Sequence, residues 1–413
     1  MTSNAAQRRF RTNLAPVSAG TEATQQSCRE EIMIRELTVT GATCLALSAG
    51  GAYAGGLDLS GQPIMLLFGK GTRAELSFAN IRPDVSGSDF TGQQTGDVGV
   101  DFNNVSLSYK TDISDRFSVA VIVDQPFFRH TEYSSGFFTG TNALVESTAL
   151  TIAGRYKFDD RWSIHGGLRV QQMEASTRLP ALSYALDTSK ETDFGFILGA
   201  AYEIPEYHVL VALTYNSEIS HNFAATENGF NTGSFEFTTP EAFNLDFRTP
   251  VSTSTLVFGN IRYALWGDVD ITPPSSGTLV TFADDTIRYR LGVVQKFTDT
   301  WSGLVRVTYE ASQDSAQNIF NPTDGLWGLG LARSIRPTNS TSPLVLTTCV
   351  LAAQRVALGR STTARASRLA CASATTSESK LCMVRRFRWT MLASTDEMPN
   401  FQRVNLDLRH GRP

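Results

Sequence analysis

Residues 284–312 read DDTIRYRLGVVQKFTDTWSGLVRVTYEAS, and their spacing decides the fold. Ile287, Tyr289, Leu291 and Val293 interleave with Arg288, Arg290 and Gly292, and Val305, Val307 and Tyr309 interleave with Arg306, Thr308 and Glu310. A period of two places each set on its own face of a strand. Thr298-Asp299-Thr300 between the two runs is a short turn. The stretch therefore predicts a hairpin of two strands of about ten residues, one face apolar and the other carrying arginine and glutamate. Strands of about 9–11 residues suit a tilted crossing of hydrocarbon, whereas soluble strands average about 5–6.

The alternation extends outward in both directions. It recurs at 73–78, 104–110, 115–124, 148–158, 162–172, 193–203, 207–217, 243–248, 255–266 and 325–331, giving a dozen strand candidates. Some connections are tight, such as Lys157-Phe158-Asp159-Asp160-Arg161-Trp162 and the matching turn at 296–301, while 125–143 and 218–241 read as long polar loops. Alternating short and long connections, with aromatics where strands leave the apolar layer, describe an outer-membrane wall. Only closure of the sheet satisfies every backbone donor and acceptor in lipid. The expected fold is all-β, an antiparallel transmembrane β-barrel. A soluble sandwich would also alternate, but with shorter strands and more uniform loops.

Charge divides the chain in three. Residues 1–54 hold 5 basic and 4 acidic groups, residues 55–331 hold 18 and 32, a net −14, and residues 332–413 hold 13 and 4, a net +9. The acidic body disfavours nucleic acid as a partner. All five cysteines lie outside 55–331, so the body has no disulfide framework or thiolate metal site,. Met33 opens a segment with an early basic residue, an apolar run from Leu37 to Leu47 and Ala52-Tyr53-Ala54 before Gly55. It reads as a signal peptide over 33–54, cleaved between Ala54 and Gly55, with 1–32 an upstream extension and translation starting at Met33. Export across a bacterial inner membrane follows.

Site chemistry is sparse. The five histidines are scattered, and in Ser220-His221-Asn222 adjacent residues point to opposite faces, so no nucleophile–base pair forms there,. No catalytic residue, metal site or cofactor is expected. The carboxylate pairs Asp159-Asp160, Asp284-Asp285 and Asp268/Asp270 sit at turns where solvated acids are ordinary, and the glycines at 49–56 lack the Lys-Ser/Thr of a phosphate loop,. Arg73, Arg169, Arg262, Arg288, Arg290 and Arg306 occupy polar strand faces and should point into the lumen, where Glu75 and Glu310 are candidate partners, or one arginine could meet a ligand carboxylate. His165 should face the lumen as a polar lining residue.

Thr239-Pro240-Glu241 leading into a strand, IRYALWGDVDITP (261–273), the Tyr-Arg-x-Gly strand, the Asp-x-Trp turn, the Tyr-Glu strand and FNPTDGLWGLGL (320–331) follow one another in an order that resembles the FadL-type transporters of Gram-negative outer membranes. The resemblance implies a barrel of fourteen strands, of which about twelve are present over 72–331, plugged by an N-terminal hatch. It implies passive transport of hydrophobic compounds, above all long-chain fatty acids, with sideways release beside a kinked strand. Outer-membrane lipid, lipopolysaccharide and the barrel assembly machinery would be its partners. The hatch maps to 55–71, with Leu57, Leu59, Ile64, Met65, Leu66, Leu67 and Phe68 as apolar members; the competing reading starts the first strand early at 64–68. A general diffusion porin for small polar solutes and a purely structural barrel are the alternative functions.

At GLWGLGLARSIRP (325–337) the alternation stops, with 82 residues still to come. Residues 332–413 hold twelve arginines and many Ser, Thr and Ala, no further alternating strand, and read as an aberrant basic tail without a fold. A barrel ending there would have two unpaired edges in lipid. A change of reading frame accounts for this: the codons of Phe387 to Leu392, shifted by two nucleotides, are able to encode Val-Ser-Leu-Asp-Tyr-Ala, an alternating closing strand.

Overall fold

The computed structural model describes residues 56–311, except 90, 268 and 283, together with 322–335 and the strand backbone of 344–358, 362–366 and 370–378. The hatch boundary at Ala54 and Gly55, everything before it and everything after 378 lie outside the described residues.

Fourteen described strands form the wall: β1 (Thr72–Ile81), β2 (Phe102–Asp112), β3 (Phe117–Asp124), β4 (Asn142–Lys157), β5 (Trp162–Leu179), β6 (Glu191–Ile204), β7 (Val209–Asn216), β8 (Ala242–Ser252), β9 (Thr255–Ala264), β10 (Thr286–Lys296), β11 (Trp301–Glu310), β12 (Asp324–Ile335), β13 (Leu344–Leu358) and β14 (Ala370–Glu378). Each pairs antiparallel with the next. β14 also pairs with β1, from Thr72 opposite Glu378 to Asn80 opposite Ala370. The pairing thus returns to its first strand, as an antiparallel barrel requires.

The first twelve strands are the segments marked by alternation. β13 and β14 fall where alternation has stopped, inside the stretch that the sequence reading left without a fold. Their pairing rests on backbone N–H and C=O groups, which every non-proline residue carries whatever its side chain.

Burial separates the two faces as the period demands. Leu76, Phe78, Ile287, Tyr289, Leu291, Val305 and Val307 are exposed, while Arg73, Glu75, Arg169, Arg262, Arg288, Arg290, Arg306 and Glu310 are all buried. A soluble protein would invert this arrangement; lipid outside and a polar lumen inside account for it. Aromatics mark the edges of the apolar band. At the short turns, Tyr156 meets Phe158 and Trp162 meets Tyr202, with ring centroids 5.5 and 4.7 Å apart. Tyr289 and Tyr309 pair at 6.4 Å on the opposite edge. Eight residues separate Phe297 from Tyr289 and Trp301 from Tyr309; at about 3.3 Å per residue and a tilt of about 40° they span roughly 20 Å, close to the height of an outer-membrane apolar band.

Both long loops prove more ordered than the sequence suggested. Phe128–Glu132 pairs with the start of β4, Phe128 opposite Glu146 and Glu132 opposite Asn142. Ile219–Glu227 and Phe230–Thr239 form a hairpin around Asn228 and Gly229, both at positive φ (51° and 85°). Asn-Gly supplies the two left-handed residues that a tight hairpin needs. By the usual asymmetry of such barrels these long elements face the outside and the short turns the periplasm.

Candidate functional site

The segment before β1 runs inside the barrel. Leu57, Leu59, Ile64, Met65, Leu66, Leu67 and Phe68 are all 7% exposed or less. Met65–Phe68 is a turn of 3-10 helix, with Leu67 N–H donating to the Ile64 carbonyl and Gly69 N–H to that of Leu66. The run at 64–68 is therefore a buried 3-10 turn and not strand, and the first strand begins at Thr72. Ile64, Met65, Leu67 and Phe68 share one buried apolar cluster with wall residues, among them Ile122, Ile197, Leu210, Leu256 and Phe258.

Cations from the wall hold the end of the turn. Arg248 donates to the Phe68 carbonyl (3.2 Å), Lys110 to those of Gly69 (2.6 Å) and Gly71 (3.0 Å), and Arg73 to that of Lys70 (3.0 Å). The Arg155 guanidinium, paired with Glu203, lies 4.6 Å from the Phe68 ring centre. These bonds satisfy carbonyls that a turn buried in a lumen would otherwise leave without partners.

Above this level the hatch meets a polar row. Asn244, Arg262, Arg288 and Glu310 stand opposite one another across β8 to β11. Asp58 pairs with Arg262 at 2.7 Å, its other oxygen accepts the Trp266 indole N–H at 3.1 Å, and Arg288 pairs with Glu310 at 2.7 Å. Ser60 donates to Asp124 on β3 at 2.5 Å, and Asn244 to the Gly61 carbonyl at 3.3 Å. Arg169 donates to Thr151 and Asn216. The expected pairing of a lumen arginine with Glu310 is thus present, and Glu75 lines a recess described below. Gly56, at φ +77°, lies under the Trp266 indole, where a Cβ would come within 2.4 Å of the ring. Only glycine permits that approach.

The wall itself is interrupted at Gln125-Pro126-Phe127. β3 stops at Asp124, opposite Ala149, and pairing with β4 resumes at Phe128, opposite Glu146. Three residues thus face two, and the chain bulges. Pro126 has no N–H to give a ladder. On the side toward β2 the Gln125 side chain accepts from Val105 N–H (3.2 Å) and Asn104 (2.9 Å), standing in for strand backbone. The edge thus vacated is taken by the hatch, with Leu59 N–H donating to the Pro126 carbonyl (2.8 Å) and Phe128 N–H to that of Leu57 (3.0 Å). Phe102 of β2 stacks on Phe128, centroids 4.2 Å apart, across the interruption, and Leu59 packs in the same cluster.

Two recesses flank this arrangement. An outer one, partly open to solvent, is lined by Leu57, Ala143, Val145, Leu186, Ile271, Leu279, Val280 and Phe282, with Arg129 at its wall. A second, smaller one lies behind β1 to β3 between Met65, Leu66, Glu75, Asn104, Ile122 and Asp124.

Other candidates resolve as structural. His165 faces the lumen and bonds Thr214 at 2.8 Å. Ser220 bonds Thr238 on the outer face, while His221 turns inward to Asp193 (2.8 Å) and Gln171 (3.0 Å). Asp159 caps its turn, accepting from the N–H groups of Arg161 and Trp162, and Asp285 accepts from Gly267 N–H. Among the described residues no group of three or more His, Cys, Asp or Glu is arranged to hold a metal ion. Sequence reading missed Asp58, Asp124, Pro126 and Trp266. Asp58 had a usable signal, as the one charged residue between Leu57 and Gly69.

A lipid-facing wall, a lumen closed by an apolar plug and a break where the plug completes the wall define a plugged outer-membrane transport barrel. The chain belongs to the family described as outer membrane protein transport protein (OMPP1/FadL/TodX), whose model matches residues 20–316. As a member of this family it is an outer-membrane transport protein rather than an enzyme. In fold it is similar to a FadL homologue of Pseudomonas aeruginosa (15% identity, TM-score 0.57, covering 80% of this chain and 96% of that one). It is also similar to the P. putida toluene transporter TodX (14%, 0.55, 81% and 98%) and the Ralstonia pickettii toluene transporter TbuX (12%, 0.54, 80% and 97%). Among curated proteins, none matches the chain.

Proposed function

We propose that the protein is a passive channel for long-chain fatty acids or amphiphiles of similar shape, which enter the outer recess and leave sideways through the break between β2 and β3. The observation that carries this reading is the shared hydrogen bonding of the hatch and the interrupted wall. Residues 57–59 occupy a strand edge at 126–128, so moving the hatch also frees that edge. Beside it the Phe102–Phe128 stack and Leu59 share one apolar cluster, and the Gln125 side chain takes the place of strand backbone toward β2. The ligand's apolar chain then passes from an apolar recess to hydrocarbon without crossing the full lumen, and no energy source is needed because partition into lipid is downhill.

A water-filled porin for polar solutes is the contrasting function. The apolar cluster around Leu67, itself fully buried, opposes it. Uptake of labelled hexadecanoate by cells with and without the protein, together with single-channel conductance in planar bilayers, tests the proposal. Faster uptake with little steady conductance supports it. Unchanged uptake, or a large steady ionic current, overturns it.

A further inference from the structure

The hatch carries one charge where it needs none. Between Leu57 and Gly69 every residue but Asp58 is apolar or uncharged, and a plug that only filled space could be apolar throughout. Asp58 is instead held as a carboxylate ligand would be, one oxygen on the Arg262 guanidinium at 2.7 Å and the other on the Trp266 indole N–H at 3.1 Å, with both members of the ion pair buried. Bidentate capture of this kind is how proteins recognise carboxylates.

The receptor around it is rich in cations. Arg288 stands directly opposite Arg262 on the neighbouring strand, and like charges so placed repel unless an anion lies between them. Arg290, two residues further along the same face, is 7% exposed, and its Nε finds no hydrogen-bond partner among the described residues. Its guanidinium lies against the hatch, so that a Cβ on Gly61 would come 2.9 Å from one of its nitrogens. Glu310 answers Arg288; Asp58 answers Arg262. Withdrawing the hatch removes Asp58 and leaves a buried guanidinium without its anion, a state that proteins strongly disfavour.

We infer that Asp58 is a built-in stand-in for the ligand's own carboxylate, and that an anionic amphiphile releases the hatch by taking its place on Arg262 and Trp266. Leu57, the neighbour of Asp58, lines the outer apolar recess, so an alkyl chain in that recess has its headgroup beside this site. The exchange forms and breaks no covalent bond; one carboxylate replaces another. An uncharged molecule of equal length fills the recess but cannot replace Asp58. The inference rests on the proposed uptake of hydrophobic molecules and adds the charge that the site selects.

The test compares hexadecanoate with hexadecan-1-ol at neutral pH in proteoliposomes carrying the full chain. Wild type should take up the acid at least about tenfold faster than the alcohol, because only the acid satisfies the vacated guanidinium. Asp58→Asn, equal in size, should bring the two rates within about threefold by raising that of the alcohol, since the amide holds Arg262 less strongly. Hydrogen exchange of residues 56–69 in the detergent-solubilised wild type should quicken with hexadecanoate and not with hexadecan-1-ol. It should already be quick in Asp58→Asn without ligand, and this readout needs no transport at all. Equal wild-type rates for acid and alcohol, a ratio unchanged by Asp58→Asn, or exchange that ignores the headgroup would overturn the inference. Uptake of neither molecule would instead overturn the proposed function.

Discussion

Replacing Leu67 by alanine should loosen the plug and leave the wall intact. Leu67 is fully buried in the cluster that joins the 3-10 turn to the inward faces of the barrel. The substitution removes three side-chain carbons, about 2.4 kcal/mol of transfer free energy at about 0.8 kcal/mol each, and the residual cavity brings the cost to about 3 kcal/mol. That corresponds to roughly a hundredfold in the equilibrium for local opening of the hatch. The strands should not share the loss, because their stability rests on backbone ladders paired around the wall. Amide exchange followed by mass spectrometry on the detergent-solubilised protein reads both regions in one experiment. Residues 64–69 should exchange about a hundredfold faster, with amides of β9 to β11 unchanged. Unaltered exchange at 64–69, or equal loosening of the strands, would refute an independently mobile plug.

Three further outcomes follow from the same geometry. Arg288→Met should cost about 3–5 kcal/mol by removing the guanidinium that pairs with the buried Glu310, and Arg288→Met with Glu310→Met should recover most of it,; thermal unfolding in detergent reads the cycle, and a double variant no better than the single contradicts it. In the outer hairpin, burial pushes the Glu227 carboxyl up, but hydrogen bonds from Thr232, Tyr184 and Ser275 outweigh burial and hold it at about 2, below its ordinary 4.5. Its stabilising contribution is therefore full above about pH 4.5 and is lost as pH falls toward 2, so proteolysis of residues 219–239 should accelerate across that window, and a flat rate counts against the cluster. The reading frame of the gene after the codon of Leu331 gives the third: the alternative frame should encode two alternating strands ending in an aromatic residue, and an early stop there would remove the frameshift proposal.

The sequence disclosed the wall more fully than the gate. Period-two alternation located all twelve strands up to Ile335, because each must be apolar toward lipid, and it oriented Arg288, Arg290 and Arg306 inward for the same reason. The hatch was legible as a five-residue apolar run lacking alternation. Gln125-Pro126-Phe127 was not, because a break in a strand and the start of a loop both begin with a lost ladder, and Pro126 fits either. The hairpin at 219–239 was hidden by its polar outer face, although Asn228-Gly229 signals the turn. The partnership of Asp58 with Arg262 spans 204 residues, and no local pattern carries a contact of that range. β13 and β14 have backbone pairing without a matching side-chain period.

Sideways release is tested most directly by fixing the break. With the native cysteines replaced by serine, Phe102→Cys and Phe128→Cys place thiols on the two sides of the interruption, where the rings now stack 4.2 Å apart, and a short bismaleimide joins them. Linked protein should retain wild-type binding of hexadecanoate while its uptake falls to the level of cells lacking the protein. The same variant left unlinked should transport. Uptake undiminished by the link would show that the ligand leaves by another route and would contradict the account.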